Sequence, residues 1–552
     1  MDATLDHAKD YHEFSMEILA WAIQSTISVP CIERYLEKQS TFTLQYELGV
    51  HLVTKSGQST YPILFFAVER NSPELVSILA TLGADTKDRA RPSDLPLLAY
   101  TVISAEYEVL DTTQTVIALL ATGSSPFDLP DDMWKDYLKS PSRLESTPVK
   151  EPYNTLGWCT LDVQDALCRN LNLMQRYSLW KATKFPIPAP RKRQLGKETN
   201  TTALFGIPYH IIGQHAATRD VLQSVTSYIL LRRSKPLVLL FAGPSGHGKT
   251  ELAIRMGDLL SLESVMVDCT EMKHETDMFG PKAPYQGYDK GSPLNNHLAK
   301  WAGQRSVVFL DEFDKTLEDV RKGLLLLFQA GDYRDRRNRK LLDCSKTIWI
   351  LATNHGEERI NQFWVDHLKD RTEEDQSKAP FNDLRMTLKG SFALAIGAPL
   401  TGRVTRIISF FPFTPGEQAV VTYKFMRDLR NNVRKPINVE AKDFAGHLHL
   451  NFVDDGKIAL CLAKDFYMPE LGARSLETAV DCHVEQKLVE EFMNQPELIV
   501  NDMNSRPLVK YDVRVSTTSH MFEEVTVKHV GSTSLQSQKR ESEGGAQGVQ
   551  GE

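Results

Sequence analysis

The octapeptide Gly243-Pro244-Ser245-Gly246-His247-Gly248-Lys249-Thr250 has the residue types and spacing best suited to chemistry. It meets the pattern G-x-x-x-x-G-K-[ST], in which glycines let successive backbone N–H groups curl around phosphate oxygens at a helix N-terminus. In that role Lys249 contacts the β- and γ-phosphates, and Thr250 lends its hydroxyl to Mg²⁺. Sixty-two residues beyond Lys249, the apolar run 307–310 ends in Asp311 and Glu312. An aspartate at the carboxyl end of a sheet strand can hold Mg²⁺, and the adjacent glutamate can polarise the attacking water. Asn354 closes a third apolar run, 348–352, where an amide reaches the γ-phosphate or the lytic water. Many strands end in acids, so the pair 311–312 gains its meaning from the loop at 243–250.

These residues need strands that end at one edge. Leu237–Ala242, 307–310 and 348–352 are short, continuous apolar runs, and the segment after Thr250, ELAIRMGDLL, reads as a helix. Such runs separated by helices predict an α/β fold, a parallel sheet covered by helices on both faces. From about residue 414 onward helices and alternating strands predict a smaller α+β domain, with strands at 510–516 and 523–530. The Ser/Gly/Gln/Glu-rich tail, 531–552, predicts disorder. Near the other end, Pro62 and Pro96 each open an apolar helix, loop and second helix, and the second helices close on Gly83 and Gly123. The 34-residue spacing is close to the ankyrin period, and glycine suits the left-handed C-cap. The second unit carries extra residues at 105–111, and the flanks 10–38 and 131–182 are expected to cap the stack. The expected organisation is an all-α ankyrin-like region at 1–183 and an extended linker at 184–204. A large ATPase domain at 205–413, a small domain at 414–530 and the tail follow.

The chain has 552 residues, 41% of them hydrophobic and 24% charged, with a net charge of −7. That is the composition of a folded multidomain chain without a global basic field. Seven cysteines (Cys31, Cys159, Cys168, Cys269, Cys344, Cys461, Cys482) are scattered and never form C-x-x-C, which predicts a reducing compartment. The acidic N-terminus lacks the features of a signal or transit peptide, and no apolar run is long enough to span a bilayer. The expected address is the cytoplasm, with the nucleus as a second site through Arg191-Lys192-Arg193. A solvated linker is the plainer reading of that basic run.

From about 211 to 530 the order and spacing of motifs resemble the Clp family of AAA+ unfoldases, above all the second ATPase module of ClpB-type disaggregases. Ile211-Ile212-Gly213-Gln214 is similar to the family's adenine-contacting segment. The loop 280–288, with Tyr285, Gly287 and Tyr288, resembles the pore loop whose aromatic grips a translocating polypeptide. Arg403 in LTGRV matches the arginine finger, and Arg474 in LGARSL the sensor-2 arginine. Joined to ankyrin-like repeats, the module resembles the ankyrin-containing branch of ClpB homologues. The resemblance implies ATP and Mg²⁺ as cofactors, hydrolysis between subunits of a homo-hexamer, and unfolded or aggregated protein clients. It also implies a protein adaptor bound through the ankyrin region. A membrane partner is not expected, and the acidic balance argues against nucleic acid.

The chain departs from the family in several places. Thr405 and Arg406 stand where two acids are common, and no heptad middle domain is present. The basic run 334–340 lies where the family has a second pore loop, and a nucleic-acid site competes for it. His447 and His449 alternate as strand metal ligands can, but with no third ligand in evidence the reading is a structural pair sharing one strand face. Two rival functions stay open: an ankyrin-coupled nucleotide switch, which needs neither Tyr285 nor Arg403, and a nucleic-acid-remodelling ATPase.

Overall fold

The computed structural model describes residues 14–53, 60–108, 110–141, 157–185, 190–199, 201–231, 233–371, 375–376, 378–438, 446–495, 508–517 and 523–530. The expected tail, 531–552, lies outside them, as do residues 1–13. Two compact units divide the chain. The first comprises 1–130, 146–170 and 178–414; the second comprises 131–145, 171–177 and 415–552.

The first unit is built around a five-stranded sheet. Its strand order is Arg406–Ser409, Leu237–Ala242, Thr347–Thr353, Ser306–Asp311 and Ser264–Asp268, all parallel. Successive side chains of a strand point to opposite faces. Leu237, Leu239 and Phe241 therefore enter one core with Val307, Phe309, Ile348 and Ile350. Val238, Leu240 and Ala242 enter the other with Val308, Leu310, Trp349 and Leu351. Both faces are dry, which is why these strands read as unbroken apolar runs. In register, Thr353 pairs with Ala242 and Leu351 with Leu310, so three neighbouring strands end at one edge.

At the start of this unit, Ile63–Glu69 and Pro73–Leu82 form one helix pair, and Leu97–Glu108 and Thr113–Thr122 form the next. A short antiparallel pair of strands, Arg89–Ala90 and Leu95–Pro96, lies between them. The second helices end on Gly83 (φ +131°) and Gly123 (φ +118°), as their spacing predicts. The extra residues of the second pair lengthen its first helix, twelve residues against seven.

Three expectations are corrected. The stretch 184–204 is not an extended linker: Pro190–Glu198 is a helix and Thr202–Gly206 a 3₁₀ turn. Proline suits the first helical position, and Arg, Lys, Gln, Leu and Glu are good helix formers. Gly196 runs close against Phe205, a Cβ there standing 2.8 Å from the ring, and Leu204 belongs to the sheet core. The flank 131–182 is not one cap on the helix pairs, because 131–145 and 171–177 fold with the second unit. There the buried Arg176 guanidinium donates to Asp455 Oδ1 at 2.6 Å, and Leu173 N donates to Asp455 Oδ2 at 2.6 Å. Sequence pattern alone does not bring together partners 279 residues apart.

The second unit also holds helices Pro415–Val433, Asp455–Phe466 and Ala473–Val480 and a three-stranded sheet. Leu448–Phe452 is parallel to Val509–Thr517, which pairs antiparallel with Glu523–His529. This is the expected α+β composition. The third correction concerns the histidine pair. His447 precedes the strand with φ +62°, which breaks the alternation, and His449 Nδ1 lies 2.7 Å from Arg434 Nη2. Burial and the neighbouring arginines push His449 down to about 4. No metal-binding cluster occurs among the described residues.

Candidate active site

The strand Leu237–Ala242 delivers the chain into the phosphate loop, and helix Lys249–Leu260 leaves it. Gly243 has φ +152°, and a Cβ on it would stand 2.4 Å from the Phe410 carbonyl oxygen, so only glycine fits where the loop crosses the neighbouring strand's end. Gly246 (φ +70°) and Gly248 (φ +91°) continue the left-handed path. His247 is fully buried, donates from Nδ1 to the Ser245 carbonyl at 2.6 Å and stacks on Phe413 at 4.9 Å between centroids. Burial holds it down to about 4, so the imidazole is neutral at physiological pH.

Lys249 is the hub. Its Nζ donates to the carbonyls of Gly243 (2.7 Å) and Pro244 (2.8 Å) and to Asn354 Oδ1 (2.8 Å). Burial pushes its ammonium down to about 8, against the opposing pull of Glu312 and Asp311. Asn354 turns its other end to the base candidate, with Nδ2 donating to Glu312 Oε1 at 3.2 Å. Glu312 itself sits at φ +49°, a left-handed conformation that directs the chain out of the strand end. Thr250 Oγ1 donates to Asp311 Oδ2 at 3.3 Å. A hydroxyl and a carboxylate oxygen at that separation would hold Mg²⁺ with a nucleoside triphosphate, directly or through water, and the residues present fit both groups. When bound, Mg-ATP supplies the scissile phosphoanhydride. There the loop amides and Lys249 would balance its charge, Glu312 would take a proton from water, and Asn354 would fix the direction of that carboxylate.

Ile211 belongs to the same construction, its methyl 4.0 Å from where a Cβ on Gly248 would stand; Ile212 beside it is half-buried. The structure does not bring Arg403 to Lys249. Its guanidinium donates to Gln329 Oε1 at 2.6 Å and to the Pro399 carbonyl, beside a cavity of about 780 Å³ lined also by Tyr228, Lys235 and Phe328. Arg474 is exposed at the start of helix Ala473–Val480 in the second unit. Tyr285 stands 71% exposed in the 280–291 loop, with Gly287 at φ +80° and Tyr288 half-buried beside it. The run 334–340 connects the strands Asp332–Arg334 and Leu341–Asp343 of a hairpin. Its charges are engaged close by: Arg336 pairs with Glu275, and Arg337 with Asp335 at 3.0 Å. The hairpin holds the tyrosine loop, since Ala283 N donates to the Arg336 carbonyl (3.2 Å) and Arg339 donates to the Ala283 carbonyl (2.6 Å).

Asp220 and Arg385 gave no signal in the sequence. Asp220 pairs with Arg406 at 2.6 Å and with Arg385 at 3.3 Å, and Thr405 Oγ1 accepts from Val238 N at 3.1 Å. The two departures at 405 and 406 thus have partners inside the subunit. Gln214, quoted in the adenine-segment motif, bonds the Phe411 backbone in both directions, at 2.7 and 3.0 Å.

Residues 235–393 match the family described as AAA domain (Cdc48 subfamily). That stretch is similar to the ATPase modules of Clp-type AAA+ proteins. A mitochondrial disaggregase of Bos taurus is 24% identical over 82% of this chain and 73% of its own length. The human mitochondrial disaggregase is 27% identical over 55% of this chain and 44% of its own. The chaperone protein ClpB of Clostridium perfringens is 26% identical over 55% of this chain and 31% of its own. The chain thus spans less than half the length of the last two relatives. Within the module, the loop strand, the acidic strand end and Asn354 all fall inside the matched residues.

Proposed function

We propose that this chain is an ATP-driven protein unfoldase, or disaggregase, that works as a ring of identical subunits, a hexamer, and draws unfolded or aggregated polypeptide past Tyr285. The observation that carries the reading is the exposure of that tyrosine on a loop of the ATPase module. A buried loop aromatic would serve packing alone, whereas an exposed one offers apolar grip to many unrelated side chains. The names of the relatives, disaggregases and ClpB chaperones, support it. In the ring, Mg-ATP is bound by 243–250, with the metal at Thr250 and Asp311 and adenine against Ile211 and Ile212, and Arg474 takes the sensor-2 role. Arg403 leaves Gln329 to meet the γ-phosphate held by the neighbouring subunit, and Tyr285, Gly287 and Tyr288 form the pore loop. The helix pairs at 63–122 act as ankyrin repeats that take a client or protein adaptor. The compartment is a reducing one: the cytoplasm, the nucleus, or the mitochondrion of the relatives' names. The test is Tyr285→Ala in an ATP-dependent unfolding assay with a tagged fluorescent reporter. ATP hydrolysis is expected to stay within about threefold while unfolding is lost; a variant that unfolds at the unaltered rate refutes the reading.

A further inference from the structure

Lys181 is a buried ammonium that the site described above does not use. Its residue is 1% exposed, at the end of helix Leu173–Ala182, and Nζ donates to the carbonyls of Ile211 and of Gly213, the latter at 3.2 Å. Those carbonyls flank Ile212. A hydrocarbon side chain would fill the same space without the cost of burying a charge, so packing alone does not call for a lysine here. The backbone it holds is a special one. Gly213 and Gln214 are both left-handed, at φ +63° and +56°. Such conformations persist where the surroundings over-determine them. Two devices do so: the Gln214 amide bridging to Phe411 on one side, and Lys181 on the other. Ile211, whose carbonyl the lysine holds, forms the wall beside Gly248 of the phosphate loop.

We propose that Lys181 is a positioning residue for the nucleotide base, fixing the Ile211–Ile212–Gly213 backbone, so that the chain before residue 184 completes the ATP site. This rests on the reading that Ile211 and Ile212 meet adenine. It has a consequence for domain deletion: removing 1–200 takes away part of the nucleotide site together with any client-binding surface.

The test uses the full chain with Lys181→Met, which keeps the stem and removes the donor. Hydrogen bonds from a charged group are worth about 10- to 100-fold in equilibrium, so the KM for ATP is expected to rise about tenfold or more. Discrimination between ATP and GTP should fall at least about fivefold, with kcat at saturating ATP within about threefold. A purely structural lysine would lower the melting temperature and leave the ATP-to-GTP preference intact, and that result overturns the proposal. Should the variant fail to fold, hydrogen exchange on the unaltered chain decides. ADP must slow exchange at 178–184 together with 207–216; protection confined to 207–216 overturns it. If the unaltered chain binds no ADP, the ATP-site reading itself falls, whereas ADP binding with an unchanged base preference removes only the role of Lys181.

Discussion

Glu312→Gln isolates the chemical step. The amide keeps the length of the side chain and an oxygen to accept the 3.2 Å bond from Asn354 Nδ2, so the carboxylate's negative charge and basicity are what is removed. A positioned general base contributes about 10²- to 10⁴-fold, which at about 1.36 kcal/mol per decade is about 2.7–5.4 kcal/mol of barrier. Glu312 is also one of the charges that support the Lys249 ammonium. Its loss lowers the lysine's proton affinity further but also removes a repulsion on the incoming phosphates. The two act in opposite directions, and ADP affinity should change by less than about tenfold. Steady-state phosphate release at saturating ATP gives kcat, and calorimetry with ADP gives binding. A kcat within about fivefold of the unaltered chain refutes Glu312 as the group that activates water. Loss of ADP binding refutes the confinement of its role to the chemical step.

Gly243→Ala places a Cβ 2.4 Å from the Phe410 carbonyl oxygen, a backbone atom that cannot swing away; thermal unfolding should register about 2–4 kcal/mol of lost stability, and ADP binding should vanish. Lys249 titrates near 8 in the free site, and phosphate raises that value, so ADP binding takes up a proton in alkaline solution. Affinity is expected to be flat below pH 7 and to fall toward about tenfold per pH unit well above 8; calorimetry in two buffers of different ionisation heat shows the uptake, and identical heats at pH 8.5 contradict it. Asp220→Ala strips Arg406 and Arg385 of their shared carboxylate, at about 1–3 kcal/mol in urea unfolding, with kcat per folded subunit kept.

The phosphate loop, its two acids and Asn354 were legible because each closes a strand buried on both faces, and such strands spell themselves as apolar runs. Boundaries elsewhere were hidden by long-range partners. Arg176 looks like an ordinary helical charge until Asp455 meets it, and Lys181 looks like the solvated neighbour of Trp180 until Ile211 and Gly213 do. The segment 190–198 lacks an apolar period because helix formers and a proline start, rather than a wide buried stripe, shape it. His447 and His449 obeyed the two-residue alternation in sequence, and one left-handed residue cancelled it in space.

The bonds joining Ala283 to Arg336 and Arg339 make the tyrosine loop and the hairpin a single jaw. That jaw continues, without a break in the chain, into helix Glu318–Ala330, whose other end follows Asp311 and Glu312 by way of the 3₁₀ turn Phe313–Lys315. In a machine that grips with Tyr285, this helix would be the transmission shaft, handing a displacement at the acids to the tooth that holds the client without crossing the sheet. Cutting the jaw at Arg339 would leave a motor that turns over fuel while its drive idles.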